Sequence, residues 1–177
     1  ARVHALWGLS QLRPHLAVDQ IPFRDSDPEI RAQAAKLAGE LHLSAAVPTV
    51  AALLSDSSLR VQFHAAMALG KLRNASAFDA VVQLLGQNAN QDPFIRHAGV
   101  VALSGIGKVD MLASLASHES SAVRAAAVVA LRRLKSPTVT KFLTDPDVWV
   151  QREAVRAIHD DFSIPEALPS LAKLLDD

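Results

Sequence analysis

The chain has 177 residues, of which 50% are hydrophobic and 20% charged, and its 18 basic side chains balance 18 acidic ones. This composition excludes a disordered chain, and the lack of cysteine excludes disulfides, thiolate metal sites and cysteine nucleophiles. No apolar run approaches the roughly 20 residues that cross a bilayer, and zero formal net charge argues against nucleic-acid binding.

Six segments align without gaps along the chain, and each predicts the same helix, here called helix B. They begin at the anchor residues Ala1, Ile30, Val61, Ile95, Val123 and Val150. Counted from each anchor, offsets 0, 4, 8 and 11 are almost all apolar. This spacing lines one face of an α-helix, whereas a β-strand would need a period of two. The sequence therefore predicts an all-α fold.

The start of helix B carries a capping signal. Asp27-Pro28 and Asp92-Pro93 place an aspartate at the N-cap and a proline at the first helical position. The same N-cap offset is held in other units by Ser58, Ser120 and Asp147.

Between successive B helices lies a shorter apolar segment, here called segment A. These segments are predicted at residues 15–22, 46–54, 77–85, 109–116, 138–143 and 166–175. The links that lead into helix B carry Asp25, Asp56, Asn90 and Asp145. Each unit is thus a helical hairpin that cannot bury its apolar face alone. The hairpins are predicted to stack into an α-solenoid.

The repeat resembles HEAT repeats, in particular the short HEAT-like repeats of bilin lyases. An Asp-Pro-x-Ile/Val-Arg start and an Ala-x-x-Ala-Leu-Gly-x-Leu finish carry the resemblance, which covers the whole chain. It implies an α/α superhelix whose concave face is lined by helix B. It leaves the activity open, because the same repeat serves many unrelated roles.

A second resemblance lies in the last third of the chain. The stretches Asp145-Pro146-Asp147 and Arg156-Ala157-Ile158 are similar to the HEAT-like segment of large bacterial proteins that combine a propeller-type, dehydrogenase-like domain with a c-type haem domain. Their haem motif, Cys-x-x-Cys-His, is absent from this sequence, so we predict no cofactor. The resemblance implies a periplasmic or secreted protein, and without it the cytoplasm is the expected compartment.

Residues 1–177 are interpreted as one HEAT-like repeat domain and as a fragment of a longer protein. The chain begins on a helix B without its segment A, and it ends on a segment A where another helix B should follow. Natural solenoids finish with polar capping helices. We therefore expect neighbouring domains in the same chain, or end-to-end self-association.

An arginine directly after the anchor recurs in four units, at Arg2, Arg31, Arg96 and Arg124. One interpretation is a row of anion-binding groups. The interpretation that we favour is a structural ladder, in which each arginine bonds a link aspartate or a helix-end carbonyl of the neighbouring unit. The offset of the arginine follows the fold, as a structural role predicts.

No metal site and no catalytic residue are predicted. His64 and His97 fall in adjacent units, but no third ligand is expected near them. Carboxylate pairs such as Asp25 and Asp27 lie at helix starts, where capping and the helix dipole favour aspartate. A glycosidase would need such groups to face each other across a pocket. The sequence therefore predicts a protein that is not an enzyme.

The outward offsets +6 and +10 of helix B predict a contact surface for a partner. Six candidate contact residues lie at these offsets, namely Trp7, Lys36, Met67, Val101, Arg133 and Arg156. Apolar groups on an otherwise polar surface mark contact sites. The alternative is that offset +6 is half-buried between neighbouring B helices.

The expected function is a non-enzymatic scaffold for contacts with a protein partner or with neighbouring domains. One alternative is the HEAT-like part of a dehydrogenase-like, haem-binding protein, or a chromophore-handling protein of the bilin-lyase kind. Another is a nucleic-acid-binding HEAT-like domain, against which the balanced charge argues.

Overall fold

The computed structural model describes residues 2–11, 17–160 and 162–175. Every regular element within these residues is helical, which confirms the all-α prediction. The α-helices in chain order are α1 (Arg2–Ser10), α2 (Pro28–Glu40), α3 (Val47–Ala52), α4 (Leu59–Leu72), α5 (Phe78–Asn88), α6 (Pro93–Ile106), α7 (Val109–Ser114), α8 (Ser121–Arg133), α9 (Val148–His159) and α10 (Leu168–Ala172). Helix B of the six units is therefore α1, α2, α4, α6, α8 and α9.

The aspartate N-caps of helix B are confirmed. The carboxylates of Asp27, Asp92 and Asp147 each accept a hydrogen bond of 2.8 to 2.9 Å from a main-chain amide of the first turn. Pro28 and Pro93 occupy the first helical positions of α2 and α6, as predicted. These starts fix where each B helix begins.

The two serine N-caps work differently. Ser58 and Ser120 stand at the N-cap, but their side chains make no cap bond. The residue two positions earlier accepts from the serine amide instead, through Oδ1 of Asp56 at 2.9 Å and through Nδ1 of His118 at 3.1 Å. The link residue therefore fixes the turn in these units.

Segment A is α-helical in only some units. The helices α3, α5, α7 and α10 provide it, with short 3₁₀ turns at Ser44–Ala46, Leu53–Ser55, Ala75–Ala77, Leu115–Ser117, Pro165–Ala167 and Lys173–Leu175. The fifth segment is the 3₁₀ turn Pro137–Phe142, where three consecutive β-branched residues lower the helix propensity. The first contains the 3₁₀ turn Val18–Gln20, and residues 12–16 lie outside the described part.

The main apolar core runs along the stacked hairpins from Ile21 to Ala167, and a smaller cluster of Leu6, Ile30 and Leu37 lies between α1 and α2. The predicted stripe supplies it, as Val61, Ala65 and Leu69 illustrate in α4. The first unit departs from the pattern, because Ala5 is exposed and its neighbour Leu6 is buried instead. The continuous core confirms the predicted stack of helical repeats.

The B helices α2, α4 and α6 meet main chain to main chain near offset +9. A Cβ added to Gly39 would lie 2.7 Å from the Cα of Ala68. A Cβ added to Gly105 would lie 2.1 Å from the carbonyl oxygen of Gly70. In α8 offsets +9 and +10 hold Arg132 and Arg133, and α6 approaches α8 less closely than it approaches α4.

Candidate functional site

Arg31, in the first turn of α2, joins its own hairpin to the next one. Its Nε and Nη2 donate to the Asp56 carboxylate at 2.7 and 2.8 Å. Its Nη1 donates to the carbonyl oxygens of Asp25 at 2.8 Å and Ser26 at 3.2 Å, in the link of its own unit. The hydrogen bonds from Arg31 hold the pKa of Asp56 below its ordinary value, and partial burial opposes that shift.

Arg124 makes the same bonds at the start of α8. Its Nε and Nη2 donate to the Asp145 carboxylate at 2.8 and 3.0 Å, and its Nη1 donates to the carbonyls of His118 and Glu119 at 2.8 and 3.0 Å. The Asp145 side chain is only 2% exposed. This bidentate pair is therefore a buried clamp between two hairpins.

Glutamine at the same offset keeps only the bond within its own unit. Gln62 donates to the carbonyl of Asp56 at 2.7 Å, and Gln151 donates to the carbonyl of Leu143 at 2.9 Å. The fourth arginine of the predicted ladder, Arg2, has a side chain outside the described part of the structure. In several units the residue directly after the anchor, whether arginine or glutamine, therefore donates a hydrogen bond to a main-chain carbonyl at the start of its own hairpin link.

Arg96 holds this offset in α6 but is not used in the same way. The position that Asp56 and Asp145 hold in their links is occupied by His118 in the following unit, so that link offers Arg96 no carboxylate. The Arg96 side chain is exposed, and it forms no hydrogen bond or ion pair with any residue that the structure describes. Its guanidinium group is therefore available to a ligand.

The predicted contact residues are spread along the exposed side of the B helices, here called the B face. Trp7 is 51% exposed, and its Nε1 donates to Oε1 of Gln33 at 3.3 Å. Lys36 is exposed, and its Nζ lies 3.8 Å from Oε1 of Glu40. Each of these side chains is therefore held by a neighbouring side chain, which for Trp7 is the buried Gln33 of α2.

The remaining four candidates differ in exposure. Met67 and Val101 are half-buried, as the alternative interpretation of offset +6 expects. Arg156 is exposed and lies 3.4 Å from Glu153, in an ion pair one helical turn apart. Arg133, at the end of α8, is exposed and has no hydrogen bond or ion pair within the described chain.

A groove of about 650 Å³ lies between α6, α8 and α9, and we call it the α6–α9 groove. Buried Val100 and Ala126 and half-buried Val129 form its apolar floor. The exposed side chains of Arg96 and Arg133 stand at its rim. The groove therefore combines an apolar surface with two guanidinium groups that are free among the described residues.

Trp149 completes the rim of the α6–α9 groove. It is 71% exposed, and the Arg152 guanidinium lies 5.6 Å from its ring centroid, within cation–π distance. Trp149 is not one of the six predicted contact residues. Its position directly before the anchor Val150 was the available signal, because the residue before a buried anchor turns outward in the first helical turn.

A second groove, of about 500 Å³, lies between the starts of α4 and α6. Leu59, Phe63 and Phe94 make it apolar, and Phe94 is 70% exposed. His64 lines the same groove, and burial lowers its pKa below the ordinary value, with the nearby Arg60 charge acting in the same direction. His64 therefore favours its neutral form.

Residues 16–104, about half of the chain, match the family model described as HEAT repeats. The chain belongs to the HEAT-repeat family. The predicted HEAT-like resemblance and the predicted helical-repeat fold are thereby confirmed.

A curated relative is similar to part of this HEAT-repeat chain. Deoxyhypusine hydroxylase of Drosophila melanogaster is 28% identical over 79 residues, which are 45% of this chain and 26% of that protein. The chain thus spans about a quarter of the length of this curated relative.

Two solved structures match this chain over most of its length. A structure of the complex of CpcE and CpcF of phycocyanin lyase from Nostoc sp. PCC7120 is similar over 93% of this chain and 70% of that chain, with 23% identity and a TM-score of 0.55. An engineered protein matches over 98% of this chain and 97% of that chain, with 19% identity and a TM-score of 0.47. The lyase likeness shows that the HEAT-repeat chain shares the fold of that protein.

The described part of this HEAT-repeat chain contains no group of three or more His, Asp or Glu side chains that could hold a metal ion. His64 and His97 line different grooves. The carboxylates of Asp25 and Asp145 accept the amides of residues 27 and 147 at 2.9 and 2.8 Å. Among the described helices, none is long and apolar enough to cross a membrane.

Proposed function

We propose that this HEAT-repeat chain is a non-catalytic scaffold that holds a protein partner, or a neighbouring domain of its own chain, on the B face. The observation that carries the proposal is the α6–α9 groove with its exposed Trp149. Tryptophan and arginine are the residues most enriched among those that dominate binding energy at protein interfaces. Here both residue types stand at the rim of one apolar groove.

The other predicted contact residues extend this surface along the stack. Trp7, Lys36 and Arg156 lie exposed on the B face, while Met67 and Val101 add partly buried apolar area. A partner that follows the B face would therefore meet apolar and charged groups in several successive units. Stacked repeats commonly use such extended surfaces for binding.

A non-catalytic role is supported by what the carboxylates do. Asp27, Asp92 and Asp147 cap helices, and Asp56 and Asp145 pair with arginines between hairpins. A general acid or base needs a proton that it can exchange with a substrate in a pocket. These carboxylates are instead engaged in the architecture of the repeat.

Site-specific photo-crosslinking tests the proposal in the full gene product, expressed in its own cells. A photoreactive amino acid replaces Val101, Arg133 or Trp149 on the B face, or the exposed Asp79 or Gln83 on α5 as matched controls. We expect the same crosslinked protein, or the same neighbouring domain, from the B-face positions and no adduct from the α5 positions. Adducts formed only through α5, or equally from both sides, would refute the proposed surface.

The alternative function is chromophore handling, suggested by the fold that the chain shares with the phycocyanin lyase structure. A direct measurement distinguishes it from the protein-binding scaffold. The purified chain is mixed with a bilin or with haem, and the absorption spectrum is compared with that of the free pigment. A stoichiometric spectral shift would favour this alternative over the protein-binding scaffold.

A further inference from the structure

We infer that the α6–α9 groove binds an acidic segment of a protein partner, with an aromatic or aliphatic side chain of that segment seated on the groove floor. The inference rests on the proposed scaffold function and specifies the chemistry of the partner. It follows from a break in the repeat, from the charge around the groove and from its apolar floor.

The break in the repeat concerns Arg96. In two other units the arginine at this offset forms an ion pair with the next link, since Arg31 pairs with Asp56 and Arg124 pairs with Asp145. The corresponding link residue after α6 is His118, which leaves Arg96 without that role. Arg96 thus occupies the position of the ladder arginines without their carboxylate partner. Its guanidinium can instead bind the carboxylate of a ligand in bidentate fashion.

The charge around the groove is positive. Arg133 faces the same space as Arg96, and neither has an ion-pair partner among the described residues. The Arg152 guanidinium adds a third positive charge next to Trp149. The acidic side chain in the lining is Glu153, which lies 3.4 Å from Arg156. The groove is therefore complementary to a carboxylate-bearing segment.

The apolar floor favours a peptide over a nucleic acid. Val100, Ala126 and Val129 offer a surface on which a side chain of the partner can be desolvated. A phosphate backbone would instead need a continuous row of cations, which two arginines and the nearby Glu153 do not supply. Trp149 can pack along the side of the seated group.

Fluorescence anisotropy with defined probes tests the inference on the full chain. The first probe is a fluorescein-labelled peptide with Trp-Leu at its centre and Asp-Glu-Asp-Glu on each side. The second has lysine at every acidic position, and the third keeps the acids but replaces Trp-Leu by Gly-Ser. We expect the first probe to bind at least about tenfold more tightly than either of the others, because both the charges and the apolar anchor contribute.

Charge reversal locates the binding site. The double variant Arg96→Glu/Arg133→Glu should weaken binding of the first probe by at least about tenfold, since two attractive contacts become repulsive. The matched control is Arg24→Glu/Lys141→Glu, which reverses two exposed positive charges that lie outside the groove lining. This control should change the affinity by less than about twofold. Both double variants should remain folded because all four side chains are exposed, and thermal unfolding measures this.

The outcomes separate this inference from the scaffold proposal. Equal binding of the acidic and lysine peptides, or an equal loss in both double variants, would overturn the acidic partner. Tighter binding of an oligodeoxythymidylate through Arg96 and Arg133 would also overturn it and assign the groove to nucleic acid. If B-face crosslinks form while the acidic peptide fails to bind, the partner chemistry is wrong and the scaffold surface stands. If both experiments fail, the scaffold proposal falls as well.

Discussion

The B helices α2, α4 and α6 pack in a different way from α6, α8 and α9. In the first group Gly39, Gly70 and Gly105 bring neighbouring main chains into direct contact. In the second group Arg132 and Arg133 stand at the offsets that hold these glycines, and the α6–α9 groove lies between the helices. The comparison teaches that small residues at offsets +9 and +10 accompany close approach of adjacent B helices, whereas large ones accompany a groove.

Charged side chains join hairpins in both groups, as Arg31 with Asp56 shows in the first, but the second group lacks the main-chain contact through glycine. Arg124 clamps the link before α9 through Asp145, and Arg132 lies 3.7 Å from Asp160 across the ends of α8 and α9. Main-chain contact through glycine and pairing between charged side chains are thus two ways of joining hairpins, which α2 and α4 use together. Substitutions at the glycines and at the charged pairs therefore test the two contributions separately.

The largest expected effect comes from the buried clamp. Arg124→Leu leaves the Asp145 carboxylate buried without its guanidinium partner, so we expect the free energy of unfolding to fall by about 3 kcal/mol or more. Urea unfolding followed by circular dichroism measures this change. Hydrogen exchange should show that the loss of protection is centred on α8 and α9.

Arg96→Leu is the matched control, because it makes the same substitution at the same offset of the repeat. It should change the free energy of unfolding by less than about 0.5 kcal/mol, since the exposed Arg96 bonds no described residue. Equal destabilisation by the two variants would show that Arg96 carries a structural bond and would remove the contrast between the units.

The closely packed group should respond to added volume. Gly105→Ala introduces a Cβ that would lie 2.1 Å from the Gly70 carbonyl oxygen, so α4 and α6 must move apart. We expect a loss of about 2 kcal/mol in the free energy of unfolding, in the range of overpacked cores. Thermal and urea unfolding measure it.

Gly86→Ala in α5 serves as the control for Gly105→Ala. Its added Cβ would meet its nearest neighbour, a methyl group of Val123, at 3.8 Å, which is ordinary contact. Because alanine favours the helix over glycine, this variant should be stabilised by about 0.5 kcal/mol or more. A similar loss of unfolding free energy in both variants would mean that the main-chain contact between α4 and α6 does not account for the effect of Gly105→Ala.

The smallest expected effect is a dependence on pH within the closely packed group. The folded-state pKa of His64 lies below its ordinary value of 6.5, so the unfolded chain takes up this proton more readily. The free energy of unfolding should therefore fall as the pH drops through 6.5, and this contribution should level off once the pH is below the folded-state pKa. His64→Gln should remove that part of the pH profile.

A stability profile that keeps its slope near pH 6 in His64→Gln would contradict this assignment, because that variant carries no imidazole at this position.

The sequence was sufficient to predict the B helices, because their apolar stripe, which recurs six times, and their aspartate caps, which recur three times, are local patterns. It was not sufficient to predict the turn Pro137–Phe142, since the choice between an α-helix and a 3₁₀ turn depends on how a short segment packs on its neighbours. The main-chain contact between Gly70 and Gly105 likewise follows from the stacking of two units and not from either unit alone.

The candidate site was partly predictable for the same reason. Arg133 was expected on the contact surface because its offset faces outward. Arg96 has no carboxylate partner because His118, 22 residues further on, holds the link position of Asp56 and Asp145. The stacked structure was needed to show which link residue each arginine reaches. For Trp149, which precedes the anchor, the sequence left two placements open, exposed or covering a link, and the stacked structure shows it exposed beside the groove.

The junction between α6 and α8 has neither glycines at both sides nor an arginine clamped to the following link. In a one-dimensional array each repeat contacts only its neighbours, so the stack is held together by its nearest-neighbour interfaces. A pulling force, or a spontaneous opening fluctuation, should therefore separate α6 from α8 more readily than α4 from α6, whose main chains are in direct contact. A stack that opens at this junction would bend without unfolding its hairpins.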